Sequence, residues 1–298
     1  VPVAPGHRRY LRQLAFTPDG RTLITLSSES APRFWDLAAL ADRTTVGSAI
    51  YTNAAMALSP DGQTVAACSR DSKSVQLWDV TSAQSKGTFA KGHGDRIEVM
   101  AFAPDGTTLA SGGRDKLVRL WEVNGGLEKK AIACDNNPTV LLFTPDGQTL
   151  VIGGPDIKHI TLWDVTGGKE RQDIKNIEYG MVYAALAPDG KTLAFVGKDN
   201  QVRLWDLSNS KEKSPPPVRH PAPIRALLFS LDGRTLIASA WDGQILFWKV
   251  SDRVLTRTIQ LPGPVTSLAL ALDNRHLAAG TAASMVYLLR LGPVPSGE

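Results

Sequence analysis

Residues 97–122 read IEVMAFAPDGTTLASGGRDKLVRLWE. An apolar-rich run at 97–103 meets Pro104-Asp105-Gly106, a turn in which Pro fixes φ, Asp caps its own backbone and Gly takes φ > 0. A second run, 109–112, ends at the turn Arg114-Asp115-Lys116. A third, 117–123, alternates around Arg119 and contains Trp121, and a weaker run at 88–90 precedes the unit. Four short runs divided by turns, with no sustained helical period, predict four β-strands.

The unit recurs. Pro-Asp-Gly stands at Asp19, Asp61, Asp105, Asp146 and Asp189, with Leu231-Asp232-Gly233 and Leu272-Asp273-Asn274 as degenerate copies. These seven aspartates lie 41 to 44 residues apart. Trp35, Trp78, Trp121, Trp163, Trp205 and Trp248 follow the first six by 16 or 17 residues, and Leu289 takes that place in the seventh. Seven units of about 42 residues account for the whole chain, so 1–298 is read as one domain. A lone four-stranded sheet cannot bury both faces; seven packed radially can.

With Ala15-Phe16-x-Pro18-Asp19-Gly20 and Trp35-Asp36, and their further versions, the chain resembles the WD40 repeat family, of a bacterial-like type rich in Pro-Asp-Gly. The resemblance implies an all-β, seven-bladed propeller with four antiparallel strands per blade. It also implies that the N-terminus supplies the outer strand of the last blade. Residues 1–4 are expected to pair outside 285–291, with Pro2 and Pro5 tolerable only at an edge. The fifth outer strand is degenerate at Pro215-Pro216-Pro217, where a linker is the alternative. In this family a His, a Ser or Thr, an Asp and the Trp form a buried hydrogen-bonded tetrad. Only the third copy matches fully, with His93, Ser111, Asp115 and Trp121. The first comes close with His7, Thr25, Glu29 and Trp35, and the sixth has His220, Asp242 and Trp248 but Ala238 for the hydroxyl. A Ser/His/Asp set also invites a catalytic-triad reading. Recurrence of partial copies argues for a structural role instead, because a nucleophile needs one unique site.

Composition narrows the field. A hydrophobic share of 43% and a charged share of 21% fit a globular chain rather than a disordered one. No apolar run is long enough to span a bilayer as a helix. Cys68 and Cys134 cannot make a disulfide framework and read as small core residues. No glycosylation sequon occurs, which with the cysteine usage leans cytoplasmic. The start at Val1, without Met or a signal-like stretch, reads as a domain cut from a longer protein, such as those fused to signalling modules. No phosphate-binding loop, zinc spacing or enzyme motif is present, so no cofactor, metal or catalysis is expected.

Two columns should point to the narrower, top face, where family members often bind peptides. The residue before the second-turn Asp gives Ser28, Arg70, Arg114, Pro155, Lys198, Trp241 and Ala282. The residue opening the inner strand gives Arg12, Ala54, Glu98, Thr139, Val182, Arg225 and Thr266. Five of these fourteen are basic and one is acidic, against 33 and 29 in the whole chain, so the net charge of +4 is concentrated there. Tyr10 and Arg96 lie nearby, and Trp241 is the tryptophan outside the repeat column. The expectation is a monomeric, non-catalytic scaffold taking an acidic or aromatic peptide segment through Tyr10, Arg12, Arg70, Arg96, Arg114, Lys198, Arg225 and Trp241. Nucleic-acid binding by the same face is the first rival, disfavoured by the absence of dense basic runs. An enzyme or metal site in the central channel is the second, disfavoured by an inner-strand column without a ring of His, Asp or Glu.

Overall fold

The computed structural model describes residues 2–3, 10–27, 32–39, 41–42, 55–69, 71–89, 92–174, 177–213 and 220–292. His7, Ser28, Glu29, Ala49, Ala54, Arg70 and Pro215-Pro216-Pro217 lie outside them, as do Val1 and Ala4 of the proposed clasp.

The described strands form seven four-stranded antiparallel sheets, the blades of a β-propeller. Blade 3 runs Ile97–Phe102, Thr108–Gly113, Leu117–Glu122 and Glu128–Ala133, from the inner strand to the outer. The inner strands of blades 1, 2 and 4 to 7 are Leu11–Phe16, Met56–Leu58, Val140–Phe143, Tyr183–Leu186, Ile224–Phe229 and Val265–Leu270. The weak run before Ile97 is the outer strand of blade 2, Ser85–Thr88. In blade 5 the outer strand is Lys211–Glu212, just ahead of the prolines.

Burial explains the sequence pattern. The second strand of blade 3, TLASGG, is buried at every position, as is that of blade 1. A strand covered on both faces reads as a continuous run of apolar and small residues rather than an alternation. Outer strands are largely exposed, with Ser85–Thr88 open along its whole length.

The core is seven seams rather than one centre. The Trp column shows why: each Trp packs back against the preceding blade. Trp78 joins Ile24, Leu26 and Phe34 of blade 1. Trp121 joins Ala66, Cys68 and Val75 of blade 2, and Trp248 joins Ala194, Val202 and Leu204 of blade 5. Trp163 and Trp205 do the same against blades 3 and 4. Trp35 packs on Ala269, Ala278 and Val286 of blade 7, and Leu289 fills the place against blade 6.

The ring closes in three ways. The inner strands of blades 1 and 7 lie side by side. Thr266 Oγ1 of blade 7 donates to the Leu11 carbonyl at 2.6 Å. Pro2–Val3 forms the outer strand of blade 7, with Pro2 opposite Tyr287 and Val3 opposite Val286. The clasp expected from the family is present, and its described part is Pro2–Val3. On the other side of blade 1, the Gln13 amide bonds both the Met56 carbonyl (3.1 Å) and the Met56 amide (2.6 Å) of blade 2.

The Pro-Asp-Gly turns also join blades. Each Asp accepts a backbone N–H two residues on, as from Arg21 to Asp19 and Gln63 to Asp61. At Asp19, Asp61, Asp146 and Asp232 the hydroxyl two residues earlier is the foremost cause holding the carboxyl below its ordinary value. At Asp105, Asp189 and Asp273 burial pulls upward, and hydrogen bonds outweigh it. The Gly of one turn sits against the Pro of the turn before: a Cβ on Gly62 would lie 2.2 Å from Pro18 Cδ, and one on Gly190 2.9 Å from Pro145 Cδ. In the seventh copy Asn274 holds the left-handed place at φ 57°, and its side-chain oxygen accepts from the Leu231 N–H at 3.3 Å.

This separates two costs at one kind of residue. Gly20 and Gly62 both have left-handed backbone, but a Cβ at Gly20 meets nothing within 4 Å. Gly20→Ala is expected to cost about 1 kcal/mol for backbone conformation alone. Gly62→Ala is expected to cost about 1–3 kcal/mol more through overpacking against Pro18. Urea unfolding of the two variants measures the difference, and equal losses would show that the turns do not bear on one another.

Candidate functional site

Two features stand out: a buried polar chain in blade 3, and the end of the sheets where the two sequence columns meet.

In blade 3 the hydrogen bonds have one consistent direction. The Asp115 carboxylate only accepts, so His93 Nδ1 carries the proton facing Oδ1 at 2.9 Å. His93 Nε2 is then a lone pair and accepts from Ser111 Oγ at 2.7 Å. Ser111 Oγ in turn accepts from Trp121 Nε1–H at 2.8 Å. The Gly94 N–H donates to the second Asp115 oxygen at 2.9 Å. Burial holds the His93 imidazole below its ordinary value of 6.5 against the pull of Asp115. For Asp115 burial pulls upward, but the bonds from His93 and Gly94 hold the carboxyl below its ordinary value. Both shifts describe a neutral imidazole facing a charged carboxylate. Below pH 6.5 the unfolded chain binds a proton that folded His93 resists, so this group's contribution falls as pH drops below 6.5 toward its folded value.

The arrangement matches the atoms of a Ser-His-Asp triad, but Ser111 is 0% exposed and its oxygen already holds the indole N–H. A substrate carbonyl has no approach to it. The thiols are similarly inert: burial pushes Cys68 up to about 12 and Cys134 up to about 11.

The same columns vary around the ring. Trp35 Nε1 donates to Thr25 Oγ1 at 2.9 Å in blade 1. Blades 2, 4, 5 and 6 have Ala67, Ile152, Phe195 and Ala238 in the hydroxyl place. There the indole N–H groups of Trp78, Trp163, Trp205 and Trp248 have no hydrogen-bond partner among the described residues. The Asp column finds other donors where His is missing. Asp71 takes Ser69 and the Lys73 N–H in blade 2, Asp156 takes Lys198 of the next blade, and Asp199 takes the Arg203 guanidinium. In blade 6 His220 Nε2 meets Asp242 Oδ2 at 2.9 Å.

The two columns singled out in the sequence share one end of the blades through a repeated backbone bond. Arg114 N donates to Arg96 O (2.8 Å), Lys198 N to Tyr179 O (3.0 Å), Trp241 N to Pro223 O (2.9 Å) and Ala282 N to Pro264 O (2.9 Å). The inner-strand column has a feature invisible to pattern reading: in blades 1, 3, 6 and 7 it is a β-bulge. The register skips Arg12, Glu98, Arg225 and Thr266, which have no direct opposite number on the second strand. A bulge re-aims the extra side chain out of the strict alternation.

Side chains there fall into two groups. Arg114 is paired with Glu98, and Lys198 with Asp156 across the seam of blades 4 and 5. Arg12 and Arg225 are held by aromatic rings instead. Arg12 Nη2 reaches Tyr10 Oη at 3.3 Å, with the guanidinium 5.7 Å from that ring's centre. Arg225 lies 4.4 Å over the Trp241 ring and donates to Tyr183 Oη of blade 5 at 3.4 Å. Tyr10 and Trp241 are 40% and 42% exposed. Arg96 is half-buried, and its backbone N–H donates to Asp95 Oδ1 at 2.7 Å. Arg70 lies outside the described residues. Tyr183, the pairing of Asp156 with Lys198 and the Tyr179–Arg203 stack (5.2 Å) have no trace in the sequence pattern, because they arise only across blades or against the Asp column. Among the described residues no cluster of three or more His, Cys, Asp or Glu is placed to hold a metal ion, and no helix is long and apolar enough to cross a membrane.

The family WD domain, G-beta repeat, matches residues 49–79, 83–122, 179–206 and 217–249. The chain belongs to the WD40 repeat family. It is 28% identical to Periodic tryptophan protein 2 of Arabidopsis thaliana over 74% of its own length and 24% of that protein's. It is 28% identical to Protein groucho of Drosophila melanogaster over 69% of the chain and 29% of the relative. Protein tipD of Dictyostelium discoideum is 21% identical over 85% of the chain and 42% of the relative. The chain thus spans between about a quarter and two-fifths of these WD-repeat proteins. WD40 propellers are in general protein-interaction scaffolds rather than catalysts.

The hydroxyl column makes a paired prediction. Ser111→Ala strands both the Trp121 N–H and the His93 lone pair, and is expected to cost about 1–3 kcal/mol. Ala238→Ser gives the orphaned Trp248 N–H an acceptor beside His220 and Asp242, and is expected to gain about 1 kcal/mol. Thermal melts of both check this; a destabilised Ala238→Ser would show that blade 6 has no room for the hydroxyl.

Proposed function

We propose that this chain is a non-catalytic interaction platform that takes an acidic or aromatic peptide segment on the face bearing Tyr10, Arg12, Arg70, Arg96, Arg114, Lys198, Arg225 and Trp241. The observation that carries the reading is the bulged inner-strand column, which turns Arg12, Glu98 and Arg225 out of the ladder at the end where Trp241 is exposed. A fixed arginine beside an exposed indole is a combination enriched where binding energy concentrates. Membership of a family of interaction scaffolds supports it. The ring acts as one monomeric unit, 1–298, in the cytoplasm, with any catalytic or targeting module supplied by other segments of a larger protein. No cofactor or metal enters this reading.

The test is capture of acidic peptides by the purified chain across a salt series. Binding is expected to weaken steeply between about 50 and 500 mM salt, as screening shortens to a few ångströms. Reversing Arg114 and Arg225 to Glu together is expected to abolish it. Capture that ignores both salt and charge reversal would overturn the electrostatic part of the reading.

A further inference from the structure

The basic residues of this face are not equivalent, and the difference names the ones that hold a ligand. Arg114 and Lys198 already have carboxylate partners in Glu98 and Asp156. Among the described residues Arg12 and Arg225 have no carboxylate partner; each is held by an aromatic side chain. In both, Nε is buried and without a hydrogen-bond partner among the described residues. The two occupy the same bulge position, in blades 1 and 6, on either side of blade 7. In blade 7 the bulge residue is Thr266, which is uncharged and spends its hydroxyl on the Leu11 carbonyl.

Three physical consequences follow. Each guanidinium is partly removed from water without a counter-charge, a state an incoming anion relieves. Each is held against a ring, so less side-chain freedom is lost on binding. Each is a planar fork suited to a carboxylate, and no carboxylate among the described residues pairs with it.

The geometry points to Arg12 and Arg225 as the two grips for an acidic peptide segment, each taking one carboxylate, with Tyr10 and Trp241 as the walls that hold them. This rests on the acidic-partner reading above and sharpens it: affinity comes from two stacked arginines, not from the summed charge of the face. Arg114 and Lys198 then serve to join neighbouring elements, and their removal leaves affinity almost unchanged.

The experiment uses fluorescein-labelled hexaglutamate and fluorescence anisotropy with the full chain. Arg12→Gln and Arg225→Gln are each expected to weaken binding about tenfold or more, in the range of a hot-spot residue. Arg114→Gln and Lys198→Gln are expected to change it by less than about twofold, as for rim charges. Arg225→Lys keeps the charge but loses the fork, and is expected to weaken binding even where its melting curve matches the wild type; it replaces Arg225→Gln if that variant does not fold. Equal losses in all four Gln variants would overturn the two-grip assignment while leaving the acidic-partner reading intact. Failure of the unmodified chain to bind hexaglutamate would overturn both. Tighter, arginine-dependent binding of a charge-matched single-stranded thymidine oligonucleotide would overturn the peptide assignment in favour of nucleic acid.

Discussion

Each blade of this protein lacks a core of its own. The indole of one blade is buried by the second and third strands of the blade before it, as Trp121 is by Ala66, Cys68 and Val75. Every other feature depends on this shared burial. It requires a repeat, because a blade without a neighbour leaves a large aromatic in water. It requires closure, because an open array would strand the last blade on each side. Burying a Trp contributes several kcal/mol, so loss of one seam costs a large share of a domain's net stability. Closure does not rest on the clasp at Pro2–Val3 alone, because the seam between blades 7 and 1 holds Leu11, Leu14, Trp35 and Ala278 together.

The polar columns are subordinate to that packing, and they decay without losing the fold. Blade 3 keeps the whole chain from Asp115 through His93 and Ser111 to Trp121. Blades 4 and 5 have lost the His, and their aspartates have found Lys198 and Arg203. A buried N–H left unmet costs less than a seam, which is why the ring stands although four indoles have no hydrogen-bond partner among the described residues.

The fold was legible because its two strongest determinants are local in sequence. A Pro-Asp-Gly turn and a Trp sixteen or seventeen residues later each have a physical reason to stay in step, one as a turn and one as a seam. The clasp was legible only through the family resemblance, which implies that the N-terminus supplies the outer strand of the last blade. The candidate site was less legible. An alternating pattern assigns Arg12 and Arg225 to a strand, but a bulge residue looks like any other member of that pattern until pairing skips it. The pairing of Lys198 with Asp156, 42 residues apart, depends on the rotation between blades and has no local trace. Counting basic residues therefore overstated the charge on offer, since two of the five in those columns carry their own carboxylates.

A rigid ring with decaying internal columns leaves its loops and bulges free to specialise, which is how a scaffold of this kind acquires a partner without changing its core. The central claim is that the seams make the ring a single cooperative unit. It is tested most directly by urea unfolding followed at once by indole fluorescence, which reports the seams, and far-UV circular dichroism, which reports the strands. The account predicts one transition with coincident midpoints. Indole fluorescence lost well before the strands, or a staircase of separate steps, would show that blades stand on their own and would contradict it.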